Sequence, residues 1–154
     1  MPHPPSLDST IACEQFFPLT IEFGTQHDLC RFAEYSFGDS DVLDFSLNWE
    51  TRFPEKMTLV ICGHYRIVDA SAPETILSEA NSTFPDLRTT ECKTFNLSIF
   101  KDGVALKLSN VQASNHCRIG QAIFEFSPDQ ELVQIWITKM SEKEIEHLKG
   151  EITE

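Results

Sequence analysis

Between Lys93 and Lys139 the chain carries four runs of alternating apolar residues: Phe95 to Phe100, Val104 to Ser109, Ile119 to Phe126 and Leu132 to Lys139. A period of two is the signature of a strand with one face buried, so this stretch predicts an antiparallel meander. Asp102-Gly103 lies between the first two runs, and Asp-Gly there predicts a hairpin because Gly reaches positive φ at no steric cost. Ile119 to Phe126 is apolar on both faces, which predicts a central strand. Ser127-Pro128-Asp129-Gln130 predicts a second reversal, since Pro presets φ for a tight turn. In the last run Trp136 falls on the wetter side and reads as partly exposed.

Upstream, Phe16 to Phe23 and Val42 to Glu50 alternate as strands, and Met57 to Val68, apolar on both faces around Leu59, Val60 and Ile61, reads as one central strand. Leu29, Phe32, Ala33 and Phe37 recur at helical spacing behind a Thr25 cap and ahead of Gly38, which predicts a helix over Gln26 to Phe37. Pro73 to Ala80 reads as one or two helical turns and Asn81 to Cys92 as a loop. Ser141-Glu142-Lys143-Glu144 is a capping box that opens a C-terminal helix with Ile145 and Leu148 on its apolar stripe and Gly150 at its end. The sum predicts an α+β fold: a mostly antiparallel, curved sheet of about seven strands with three short helices. A β-sandwich is the alternative if the sheet folds over itself. Residues 1–12 read as a flexible N-terminus and 13–154 as one globular domain, with no internal repeat.

At 154 residues the chain can bury roughly 70% of its unfolded surface and needs neither disulfide nor metal to hold a core. Cys13, Cys30, Cys62, Cys92 and Cys117 are odd in number and widely spaced, which is the usage of a reduced, cytoplasmic protein. Met1-Pro2-His3-Pro4-Pro5 lacks the basic and apolar regions of a secretory signal, so the Asn81 and Asn96 glycosylation matches read as chance. No apolar run reaches the ~18 residues of a membrane helix. The net charge of -12 sits at the front, where residues 1–92 hold 15 acids against 5 bases. Such a field repels nucleic acid and anionic membranes and speeds encounter with a basic protein partner.

No dinucleotide, P-loop, zincin or serine-hydrolase motif is present, and no catalytic residue and no cofactor are assigned. His27 with Cys30, Cys62 with His64, and His116 with Cys117 are weak metal candidates, because none has finger spacing. A Cys and a His adjacent in sequence are no sign of a thiol nucleophile. Asp39, Asp41 and Glu50 fall at calcium-loop positions, but Leu43 and Asp44 stand where a ligand and the turn glycine belong. No metal site is therefore assigned.

What remains is the acidic front Asp28 to Glu50, where Arg31 is the one base. Its acids are expected on the wet faces of a helix and a strand and in the turn between them. The expectation is an acidic protein-binding module of the inhibitor or immunity-protein type that docks on or neutralises a basic partner. Its contacts would be Glu34, Tyr35, Asp39, Asp41, Asp44, Trp49 and Glu50. The alternative is a small-ligand binder or enzyme with a site in the sheet concavity near His64, Tyr65 and Arg66.

Overall fold

The computed structural model describes residues 9–12, 19–24, 30–38, 41–60, 65–72 and 84–152. The first half of the chain supplies β1 (Ser9–Ala12), β2 (Leu19–Phe23), β3 (Cys30–Phe37), β4 (Asp41–Asn48) and β5 (Pro54–Val60). Then come β6 (Tyr65–Ile67), β7 (Thr90–Glu91), β8 (Asn96–Ile99), β9 (Val104–Lys107), β10 (Asn115–Ile119), β11 (Ala122–Phe126), β12 (Leu132–Ile137) and α1 (Glu142–Ile152). They form two mixed sheets of six strands, ordered β1-β2-β5-β4-β3-β7 and β10-β11-β12-β9-β8-β6. The expected α+β fold with three helices is therefore corrected to an all-β sandwich, the alternative reading, with one helix among the described residues.

The decisive difference lies at Gln26 to Phe37. Cys30 to Phe37 is a strand, paired residue for residue with β4 from Cys30↔Asn48 to Phe37↔Asp41. Helical spacing among Leu29, Phe32, Ala33 and Phe37 coexists with a period-two set, Ala33 and Tyr35, and it is this set that faces the core. Eight cross-strand pairs to an adjacent strand outweigh the modest helix propensity of a segment rich in aromatics. The expected helix over Pro73 to Ala80 lies outside the described residues. The expected single strand Met57 to Val68 is divided between sheets: β5 lies centrally in the first, between β2 and β4, and β6 is an edge of the second.

The C-terminal half departs from a simple meander. Ile119 to Phe126 spans a reversal, since Ile119 ends β10 and Ala122 begins β11, with Gly120 and Gln121 between them. Gly120 carries φ 58, the positive first turn residue of a type II′ reversal. β12 returns to pair with β9, so β9 to β12 form a Greek key. The Asp102-Gly103 hairpin forms, but Gly103 does not have positive φ. A Cβ on Gly103 would stand 2.4 Å from the Ile137 carbonyl oxygen, so glycine is needed there for close backbone approach.

The two sheets share one plan. The units β1-β2-β5-β4-β3 and β8-β9-β12-β11-β10 have the same strand order, and each has an irregularity at the same place, Ser46/Leu47 in β4 and Glu125/Phe126 in β11. Matching these bulges brings Phe45 into correspondence with Phe124, Leu47 with Phe126, and Ala33 with Cys117. Ile21 then corresponds to Leu106 and Leu59 to Ile137. All ten are buried. This internal repeat is invisible in the sequence because the matched positions keep burial rather than residue identity, Phe45 and Phe124 excepted.

Phe124 is the hub between the layers, touching Phe23 and Phe45 of the first sheet and Phe84 from the connection before β7. α1 begins with the expected capping box: Ser141 N–H donates to Glu144 Oε1 at 2.8 Å and Glu144 N–H to Ser141 Oγ at 3.1 Å. Its Ile145 and Leu148 are buried in the main core, and the helix continues past Gly150 to Ile152. Among the described residues no helix is long and apolar enough to cross a membrane.

Candidate functional site

Because both inner faces fill the core, the chemistry of this fold is displayed on the outer faces. On the first sheet Glu34 and Asp44 are directly opposite one another on β3 and β4, and both are exposed. Cross-strand neighbours stand ~4.5–5.5 Å apart at Cβ, where like charges are destabilising. Asp44 feels this: partial loss of water around its carboxyl raises its pKa, and the Glu34 charge raises it further.

Two large apolar groups are exposed on the same sheet, one on β3 and one in the turn after β4. Phe32, one turn of the strand pleat before Glu34 on the same face, is 75% exposed, and Trp49 is 63% exposed. Trp49 and the exposed Glu50 are held up by a built turn. Asn48 Oδ1 accepts from the backbone N–H groups of Glu50 and Thr51 at 2.9 Å, and Asn48 Nδ2 donates to Glu55 Oε2 at 3.1 Å. Arg52 N–H donates to Asn48 O at 2.9 Å, with Arg52 itself at φ 67. Sequence reasoning placed Phe32 on the buried stripe of a helix; reading β3 with period two would have put it beside Glu34.

The remaining expected contacts are not on this face. Tyr35 points into the core, its ring edge-on to Phe45 at 5.9 Å, and burial pushes its pKa up to about 12. Asp41 is fully buried, and Asp39 lies outside the described residues. Trp136 is buried rather than partly exposed, and its Nε1–H donates to Glu125 Oε1.

His27, Cys62 and His64 lie outside the described residues. His116 and Cys117 are successive residues of β10, so they point to opposite faces, with Cys117 fully buried. Burial pushes the Cys92 and Cys117 thiols up to about 11, away from the thiolate a nucleophile needs. Among the described residues no group of three or more His, Cys, Asp or Glu could hold a metal ion.

Two hollows lie among the described residues. One of about 820 Å³ lies beside Tyr35 and Cys92 at one end of the sandwich. Its rim carries Asp86, Glu91, Asp129 and Glu131 against Arg88 and Lys93, so acids outnumber bases there. The other, about 610 Å³, is a groove on the outer face of the second sheet, bordered by Arg66, Lys107, Phe100 and Trp136. The described residues thus form an all-β sandwich whose two outer faces differ in side-chain chemistry. A scan against protein-family models and a search of curated proteins give no match.

Proposed function

We propose that the chain is a protein-binding module that docks on, and neutralises, a basic protein partner through the outer face of β3 and β4. The observation that carries this reading is the exposed Glu34–Asp44 pair in direct cross-strand register. An isolated sheet gains nothing from opposing carboxylates, whereas a lysine or arginine brought between them relieves their repulsion and gains two charge-assisted hydrogen bonds. Phe32 and Trp49 supply the apolar anchors that a charge patch alone lacks. The formal charge of -12 steers a basic partner towards this face. The free thiols of Cys30, Cys92 and Cys117 fit a cytoplasmic setting.

The test is capture from native lysate at low salt, run in parallel with wild type and with a Glu34→Gln, Asp44→Asn, Phe32→Ser variant. A stoichiometric basic protein held by wild type, released by salt and lost by the variant is the expected result. Equal retention by the two would remove this face from the account.

A further inference from the structure

We propose that the groove on the outer face of the second sheet is a binding site for a small aromatic anion. One row of side chains crosses this sheet in register: Arg118, Ile123, Trp136, Ala105, Ser98 and Arg66. Two small buried residues, Ala105 and Ser98, stand between the indole of Trp136 and the long side chain of Arg66, and Phe100, Ala105, Ile123 and Trp136 form a second buried cluster against which Val68 and Ala72 pack. Trp136, Ala105, Ser98 and Arg66 border the 610 Å³ groove, a volume within the range of small-ligand sites.

Each wall has a fixed chemistry. On one side Phe100 stacks on Trp136, with ring centroids 5.7 Å apart and planes at 30°, and the bond from Trp136 Nε1 to Glu125 fixes the indole. This is an apolar wall against which a planar ring can lie. On the other side Arg66 Nε donates to Ser98 Oγ at 2.8 Å, which anchors the guanidinium above the floor and leaves its terminal nitrogens as donors. Lys107 adds a second cation from the next row, between Asn96 and Gln134, both uncharged.

The charges are the telling part. Acids outnumber bases 24 to 12, yet among the described residues neither Arg66 nor Lys107 forms an ion pair. The nearest outer-face acid in the register, Glu125, lies two strands from Lys107 across Gln134, and its Oε1 accepts from Trp136 Nε1–H. The internal repeat supplies a comparison: the position of Lys107 is Glu22 in the first sheet and that of Arg118 is Glu34. The shared fold does not require cations there. Two cations with no ion pair among the described residues, beside an aromatic wall, fit an anionic group carried on a planar apolar body.

The full-length, ¹⁵N-labelled protein is titrated with 2-naphthoate, 2-naphthyl phosphate, 2-naphthalenemethanol and acetate, following both indole N–H signals by NMR and the affinity by calorimetry. The Trp136 signal is expected to shift saturably with an aryl anion while Trp49, on the other sheet, stays in place as the internal control. Whichever of the carboxylate and phosphate binds tighter names the anionic group. The alcohol and acetate are expected to bind at least about tenfold more weakly, and Lys107→Gln and Arg66→Gln each to cost about tenfold, the scale of one charge-assisted bond. Lys107 makes no side-chain hydrogen bond to a described residue, so Lys107→Gln is expected to keep the wild-type melting temperature. No saturable Trp136 shift, an alcohol that binds as well as the anions, or unchanged affinity in Lys107→Gln would overturn the proposal. None of these outcomes involves Glu34 or Asp44, so the docking reading stands or falls separately.

Discussion

Phe45 and Phe124 hold the same register position in the two halves of the chain, and their rings meet at the centre of the sandwich with centroids 6.1 Å apart. Each is almost wholly buried, and Phe124 also touches Phe23 and Phe84. The contact therefore joins both sheets and the connection before β7. Phe124→Ala is expected to cost about 3–5 kcal/mol, as large-to-small changes of a buried aromatic do. Urea denaturation should show one transition at lower midpoint, because both sheets lose the same partner. Two separated transitions would contradict a shared core.

Gly103 offers a sharper test of the β9–β12 contact. Its φ is ordinary, so alanine there carries no backbone strain, but the new methyl would meet the Ile137 carbonyl oxygen at 2.4 Å. Gly103→Ala is expected to destabilise by about 1–3 kcal/mol, the range of overpacking. Hydrogen exchange should quicken at the amides of β9 and β12 before those of the first sheet. An unchanged denaturation midpoint would mean that the two strands are farther apart.

The Glu34–Asp44 pair predicts a pH effect with a definite sign. The folded-state pKa of Asp44 is raised above 3.8, so the native state holds this proton more tightly than the unfolded chain. The stabilisation is fully present below 3.8 and is lost as pH rises through the folded value. Asp44→Asn should therefore be at least as stable as wild type near neutrality, with the difference shrinking as the acid range is entered. Thermal melts of both proteins across that range check it. The same substitution is expected to slow association with the basic partner.

Thiol reactivity should follow environment. Cys92 and Cys117, pushed up to about 11, hold only about a thousandth of their thiols as thiolate near pH 8. Cys117 is in addition fully buried. Alkylation of the native protein, read by peptide mass spectrometry, should reach Cys30 before Cys92, and Cys117 last of these three.

The reciprocal bonds between Ser141 and Glu144 start the one described helix, whose Ile145 and Leu148 reach the main core. Ser141→Ala is expected to cost about 0.5–2 kcal/mol, the usual loss of an N-cap. The loss should appear as a lower denaturation midpoint with early exchange confined to α1.

The local signals that sequence reading handled well were short-range ones. Asp102-Gly103 marks a hairpin, Ser141 to Glu144 a helix start, and the alternation over β4 an inward row of Leu43, Phe45 and Leu47. It failed where a distant partner decides. Cys30 to Phe37 satisfies two periods, and only pairing with β4 selects the strand. Ile119 to Phe126 is apolar enough to hide the reversal at Gly120. Of the proposed docking face, Asp44 and Glu50 follow from alternation and charge and Glu34 from charge alone, whereas alternation places Trp49 inward and the structure exposes it. Phe32 was not legible, because its exposure depends on which period is correct, and Asp41 looks like any other surface acid until its burial is known. Lys107 and Arg66 carry no motif; their meaning comes from strands that are neighbours in space alone.

The segment between the two repeats has a further consequence. After β5 of the first sheet, the chain adds β6 to the edge of the second, returns to add β7 to the edge of the first, and then enters β8. Each half thus receives an edge strand from the connector, and both additions are parallel. The halves are laced together instead of being strung in a row. A gene truncated to either repeat would encode a sheet stripped of a border strand and of its facing layer, so the resemblance between the halves gives neither one independence.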